Sequence, residues 1–281
     1  MDAPVARRLS GGRLHLSHGP IDVILRAWGE AEAVRAAEAA ALALFPGILP
    51  ALAAELPELR RPVAEGPRLQ HPIARRMLAA CLPFAPEFVT PMAAVAGAVA
   101  DALLAAMRAA APLERAYVND GGDIAVHVAP GHMLAVGLAA DPARLALDGA
   151  LQVTAASGIG GIATSGRHGR SFSLGIADAV TVLARDAARA DAAATLIANA
   201  VDVPSAAIRR VPACSLDPDS DLGERLVTAD VGALTATEIA AALDAGLARA
   251  ESFLASGHII GAALRLGGEA RLAGLPRLPG P

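Results

Sequence analysis

Apolar and polar residues along this chain fall into groups of short alternating runs and groups of longer alanine-rich ones. Residues 13–18 and 22–28 read as two strands joined by a Gly19-Pro20 turn, the pattern of a hairpin. Residues 30–45 predict an alanine-rich helix stopped by Pro46-Gly47, with a second helical piece reaching Leu59. A proline-rich connection over 60–72 leads into a short helix over 72–82, and Pro91 opens a long helix to about Ala110. Strands are expected at 115–118, 123–128 and 133–138, with glycine-rich turns between them. A loop is predicted from Ser157 to Gly175, then a strand over 179–184 and a helix from about Ala187 to Ala200. The remaining pattern predicts a strand near 226–231, a helix from about Thr235 to Ala255 and a last strand over 258–266. Strands and helices come in groups instead of strict alternation, so the expected class is α+β, with mainly antiparallel sheets packed with helices. With 281 residues, 54% of them hydrophobic, the chain can bury a core for one domain over 1–281 or for two closely packed lobes.

Candidate chemistry concentrates in three places. In the run from Ala190 to Asn199 the only polar side chains, Asp191, Thr195 and Asn199, recur every fourth residue and share one helical face. A carboxylate, a hydroxyl and an amide on one face offer oxygen to a hard cation such as Mg2+. The alternative is that Asp191 starts the helix as its N-cap while Thr195 and Asn199 bond locally.

The run Asn119-Asp120-Gly121-Gly122-Asp123 is either a plain turn between two apolar runs or part of a site. In the loop Ser157 to Arg170, glycines permit close backbone approach, while Thr164, Ser165, Arg167 and Arg170 supply donors suited to phosphate oxygens. A pyrophosphate or another phosphate group would suit it; the alternative is a mobile surface loop with two solvated arginines. His168 is a general acid–base candidate or an exposed bystander. Ser165 is not read as a nucleophile, because the G-x-S-x-G elbow is absent.

Taken in order, Asn119 to Asp123, Ala163 to Gly166, Thr181 to Ala184 and Ala190 to Thr195 resemble the N-x-G-G-D turn, A-T-S-G loop, TVxA strand and A-D-A-x-A-T helix of the ApbE-like superfamily, whose best-known members are FAD:protein FMN transferases. The resemblance implies an ApbE-like fold, Mg2+ at Asp191 and Thr195, and FAD or FMN as nucleotide. It also implies that Asn119, Gly121, Gly122 and Asp123 lie near that nucleotide, with Thr164, Ser165, Gly166, Arg167 and Arg170 as binding candidates.

The chain departs from the transferases at two points. Their His-Ile-Ile-Asp-Pro-x-Thr-Gly segment is missing, and Arg170 to Asp178 stands in its place. Their Gly-Ile-Ala-Lys-Gly helix has Gly97 where the lysine would be. The stretch Thr90 to Gly97 resembles a cytoplasmic branch that shares Thr-Pro-Met-Ala-Ala-Val-Ala-Gly, for which the resemblance implies a fold and a site more than a reaction.

All 24 basic side chains are arginine, which excludes Schiff-base chemistry and a lysine general base. A net charge of −4 with 2% aromatic residues supplies no nucleic-acid footprint, so no nucleic-acid partner is expected; a small-molecule nucleotide ligand is what the resemblance implies. Met1 to Arg8 shows no apolar leader segment, and the uncharged run Gly149 to Gly166 is too rich in Gly, Ser and Thr for a span, so a cytoplasmic protein without membrane contact is expected. Cys81 and Cys214 lack metal-ligand spacing and read as small core residues. Two functions follow as expectations. One is a flavin-nucleotide-binding enzyme with weak Mg2+-assisted diphosphate chemistry; the other is a binding or assembly protein that keeps the pocket without the reaction.

Overall fold

The computed structural model describes residues 3–138 and 149–275. In chain order the elements are β1 (Val5–Leu9), β2 (Arg13–His18), β3 (Ile21–Trp28), α1 (Ala31–Ala54), α2 (Leu56–Leu59), α3 (Pro72–Cys81) and α4 (Val95–Ala110). There follow β4 (Arg115–Asp120), β5 (Asp123–Val128), β6 (Met133–Leu138), β7 (Gly149–Thr154), β8 (Gly161–Ser165), β9 (Ala179–Ala184) and α5 (Ala187–Ala200). The last are β10 (Ile208–Pro212), α6 (Ala213–Leu216), β11 (Leu226–Val231), α7 (Ala236–Ala255), β12 (Gly261–Leu266) and β13 (Glu269–Ala273). The class is α+β, as the grouping of the pattern predicts. The chain divides into two compact units, one holding residues 1–136, 152–163 and 184–192, the other 137–151, 164–183 and 193–281.

In the first unit, β1 to β5 pair in sequence as an antiparallel meander, and β8 adds beside β5 with Ile162 opposite Ile124. Burial alternates along β2, β3 and β4, so Leu14, Leu16, Val23, Leu25, Ala116 and Val118 all point to one face. Helices α1 and α4 cover that face and pack on each other. α1 contributes the buried stripe Ala37, Ala41, Phe45, Ile48 and Leu52, spaced by three or four residues.

That stripe explains why Pro46 does not end the helix, contrary to the sequence expectation. Pro46 and Pro50 lie on the exposed side of α1, where the carbonyls they leave unpaired meet water. The packing of Phe45, Ile48 and Leu52 offsets a cost of about 3 kcal/mol for an interior proline. Among the described residues, Ala31–Ala54 and Pro91–Ala110 are long and apolar enough to cross a membrane by length and composition. In this fold both apolar stripes are turned onto the sheet and onto each other.

A second correction concerns residues 149–166. Strand β8 lies inside the loop predicted from Ser157 to Gly175, and strand β7, which the sequence reading did not include, precedes it. The glycines serve close packing: a Cβ on Gly160 would lie 2.2 Å from the Arg185 carbonyl oxygen, and one on Gly161 would lie 2.1 Å from the Asp186 carbonyl carbon. Only a strand without side chains at those positions passes the start of α5.

In the second unit, β9, β12 and β13 pair antiparallel, with β10 and β11 as a separate ribbon. α7 begins with a capping box, in which Thr235 Oγ1 accepts the Glu238 N–H while Glu238 accepts the Thr235 N–H. It buries Ala242, Leu243, Gly246, Ala250 and Phe253. The sequence reading missed β1, β10 and β13, which are five-residue strands; β1 is largely exposed, so burial leaves little periodic imprint on it.

Candidate functional site

The β4–β5 connection is a two-residue hairpin turn in which Gly121 and Gly122 have φ of 62° and 114°, a region glycine enters without a Cβ penalty. Asn119 Oδ1 accepts the Gly122 N–H at 2.8 Å, closing the turn locally. Asp120 is buried, and its Oδ1 accepts the Asp22 N–H at 3.3 Å. Asp120 and Asp123 are register partners at the end of the ladder, on the side where Val118 and Ala125 are buried.

Asp191 is next to these acids. α5 starts four residues before Asp191, and Asp186 caps it by accepting the Arg189 N–H at 2.9 Å. Asp191 is therefore not the cap of its own helix. Its Oδ2 accepts the N–H of Gly97, in the first turn of α4, at 3.0 Å. Burial, then the negative charge of Asp123 and, less strongly, of Asp120, hold its carboxyl well above the ordinary carboxylate range; the Gly97 and Ala96 amides pull the other way. The Cys81 thiol also feels Asp191, and burial and this charge together push its pKa up.

The helical face recognised in the sequence is real: Asp191, Thr195 and Asn199 share one half-buried side of α5, with the Asp191 carboxyl itself enclosed, while Ala192 to Ala194 and Leu196 to Ala198 are buried. Asn199 is already engaged, its Oδ1 accepting the Leu174 N–H at 3.0 Å.

A residue absent from the sequence reading completes the arrangement. Asp101 of α4 is buried and accepts the N–H groups of Ala187 and Ala188, in the first turn of α5, at 3.1 and 3.0 Å. Arg76 stands 3.7 Å away. Burial nevertheless pushes Asp101 up to about 6, against the two amides. The signal was present in the sequence, since Asp101 is the one acid in the apolar run from Val95 to Met107. The two helices touch at Gly97, where a Cβ would sit 2.3 Å from the Ala187 carbonyl oxygen. No side chain fits there, which is a physical reason for glycine where the transferase pattern has lysine.

In the second unit, Thr164 and Ser165 belong to β8 instead of a loop, and Thr164 Oγ1 is 2.8 Å from Thr181 Oγ1. Gly166 has no room for a side chain, since a Cβ would lie 2.6 Å from the Asp178 carbonyl oxygen. Arg167 is not a loosely solvated side chain: its Nη2 and Nε reach Asp178 Oδ1 at 2.7 and 2.9 Å. Asp178 Oδ2 accepts the Gly267 N–H at 2.7 Å. His168 is exposed, 3.6 Å from the same carboxylate, and Arg170 is exposed. Among the described residues no group of three or more His, Cys, Asp or Glu is placed to hold a metal ion by itself.

Comparison with known proteins agrees with the motif order. A family model described as AbpE bacteria matches residues 6–272, and the chain belongs to that family, within the ApbE-like superfamily. The chain is 37% identical over 160 residues to a UPF0280 protein of Methanothrix thermoacetophila, an alignment covering 57% of this chain and 64% of that one. It is 38% identical over 157 residues to a UPF0280 protein of Methanopyrus kandleri, covering 55% and 61%. The chain thus spans less than two thirds of the length of these relatives. Among solved structures, the apo form of the flavinyl transferase ApbE of Pseudomonas stutzeri aligns over 97% of this chain and 96% of its own, at 13% identity and a TM-score of 0.44.

Proposed function

Taking membership of the ApbE-like superfamily as the premise, we propose that the chain binds a flavin nucleotide, FAD or FMN, with Mg2+ held at Asp191 and Thr195. The observation that supports this reading most is the crowding of Asp191 with Asp123 and Asp120, which holds the Asp191 carboxyl far above its ordinary range. A buried carboxyl in a negative field is a group that a cation relieves. The donor chemistry fits, because Mg2+ takes oxygen ligands and is usually held by one or two carboxylates together with waters and substrate phosphates. A closed set of three acidic ligands is therefore not required. The Gly97 amide fixes the direction of the Asp191 carboxylate, and a lone pair on each oxygen remains for a cation.

Asn119, Gly121, Gly122 and Asp123 are proposed to lie against the nucleotide, with the glycines allowing close backbone approach. Thr164, Ser165, Gly166, Arg167 and Arg170 are proposed as phosphate contacts. When bound, the ion would neutralise diphosphate charge. FMN transfer to a Ser or Thr hydroxyl also needs fixed donors beside the developing charge, and this chain has no lysine. Binding is therefore proposed to exceed transfer. The engagement of Arg167 with Asp178 favours the second reading, a binding or assembly protein that keeps the pocket without the reaction. As further proposals, the protein is cytoplasmic, acts as one domain and contacts neither membrane nor nucleic acid.

The test is Mg2+ titration with thermal unfolding, in the parent and in Asp191→Asn. The parent should gain about 1.4 kcal/mol at a Mg2+ concentration tenfold above its Kd. Asp191→Asn keeps an oxygen for the Gly97 amide, so it should fold and lose that gain. No gain in the parent, or an equal gain in the variant, returns Asp191 to a purely structural role. Incubation with FAD, Mg2+ and an acceptor domain, read by mass spectrometry, should show little covalent FMN; efficient addition that Asp191→Asn removes would overturn the ranking of binding over transfer.

A further inference from the structure

A cleft of about 480 Å³ lies in the first unit, between α3 and the start of α5, and neither Asp191 nor Asp120 nor Asp123 lines it. Its charged lining is Arg75 and Arg76 from α3 with Asp186 and Arg189 from the α5 start. Three guanidiniums therefore face one carboxylate, in a chain whose net charge is −4. The partners are unequally shared. Arg189 Nη1 donates to Asp186 Oδ2 at 2.9 Å, and Arg76 leans on the buried Asp101 at 3.7 Å. The Arg75 side chain makes no hydrogen bond or ion pair among the described residues.

The first amides of α5 are not the attraction here. Those of Ala187 and Ala188 are taken by Asp101, and that of Arg189 by Asp186. What remains is a set of guanidinium forks around a space floored by the small side chains of Ala79, Ala80 and Ala188. Asp101 and Asp186 hold two of the three forks at the rim, so part of the ordering cost of binding is already met. With Asp101 offsetting Arg76 and Asp186 offsetting Arg189, one uncompensated positive charge, that of Arg75, remains beside two ordered forks, a setting that favours an anion able to use all three, such as phosphate. Fork geometry satisfies several oxygens of one tetrahedral anion, whereas a planar carboxylate engages one fork well.

We propose that this cleft is a phosphate-binding site, taking inorganic phosphate or the terminal phosphate of a small ester. It is independent of the Mg2+ and flavin reading, since none of its residues belongs to that set.

Calorimetric titration of the intact protein at low ionic strength tests it, with inorganic phosphate, pyrophosphate, AMP and succinate as probes and chloride at matched ionic strength as reference. Phosphate should bind saturably, and Arg75→Ala and Arg189→Ala should each weaken it at least tenfold. Tighter binding of AMP than of phosphate identifies an ester as the source, and the reverse order identifies the free ion. Asp191→Asn should leave phosphate binding unchanged. Arg75 is exposed and its side chain makes no hydrogen bond or ion pair among the described residues, so its replacement should leave the fold intact and keeps the test valid even where Arg189→Ala is unstable. The proposal is overturned by succinate binding as tightly as phosphate, by phosphate behaving as chloride does, or by an unchanged affinity in Arg75→Ala.

Discussion

Asp101 and Asp191 each accept the first-turn amides of the helix that carries the other. Asp101 on α4 takes Ala187 and Ala188 of α5, and Asp191 on α5 takes Gly97 of α4. Each carboxylate thus meets the positive end of a helix and fills orphan N–H groups. The exchange requires the two backbones to touch, and Gly97 is where they do.

Removing Asp101 should be costly. Asp101→Ala leaves two buried amides without acceptors and takes Arg76's carboxylate away, so a loss of about 2–4 kcal/mol is expected from capping and unsatisfied-donor costs. Asp101→Asn keeps one good acceptor and should lose less. Urea denaturation at neutral pH measures both, and an alanine variant as stable as the parent would deny Asp101 this role.

The pH dependence carries a definite sign. Asp101 titrates higher in the folded protein, at about 6, than its ordinary value of 3.8. Its favourable contribution is complete below 3.8 and is lost as pH rises through about 6, a swing of about 3 kcal/mol. Asp191, also raised, acts in the same direction. Replacement by the always-neutral Asn should flatten the fall in stability between pH 4 and 6, measured as the difference between variant and parent denaturation midpoints across that window. A parallel pair of curves would show that Asp101 ionises as freely folded as unfolded.

Two glycine-to-alanine changes should move stability in opposite directions. Gly97→Ala drives a Cβ into the Ala187 carbonyl and parts α4 from α5, at a cost of about 3 kcal/mol. Gly47 lies inside α1, where a Cβ would meet nothing within 4 Å and the backbone has no positive φ. Gly47→Ala should stabilise by about 0.5–1 kcal/mol through helix propensity. Thermal unfolding of the pair decides it; similar midpoints would contradict the packing argument.

Asp178 should behave as a tertiary anchor in the second unit. Asp178→Ala frees the Arg167 guanidinium and the Gly267 amide, for an expected loss of about 1–3 kcal/mol. If the loss is within error of zero, the Arg167 fork is not held in solution and returns to the solvated-loop description.

The two thiols should react very differently. Cys81 is fully buried, and burial with the nearby Asp191 charge disfavours its thiolate. Cys214 is partly exposed, although its hydrogen bond to Glu224 also raises its pKa. Iodoacetamide at mildly alkaline pH should label Cys214 slowly and spare Cys81 until the protein unfolds, because the thiolate is the nucleophile. Peptide mapping reads this out, and early labelling of Cys81 would place it outside the core.

The sequence by itself determined what local periodicity and turn chemistry encode. The hairpin over β2 and β3, the helices α3 and α5, the strands β5, β6, β9 and β11, and the Gly121-Gly122 turn were all legible, because each is set by residues close in the chain. The polar face of α5 was legible for the same reason, since a four-residue spacing fixes it before any packing occurs. Tertiary structure decided the rest. Pro46 reads locally as a stop, yet α1 continues because a stripe on its opposite side is packed by α4 and the sheet. Glycines 160 and 161 read locally as looseness, yet they form and abut strand β8 because the start of α5 leaves no room for a side chain. Asp191 reads as the start of its own helix or as a ligand, and only folding shows it bonded to Gly97, 94 residues away. A carboxylate's partner and pKa are properties of what surrounds it, and in this protein those surroundings come from segments that the sequence keeps far apart.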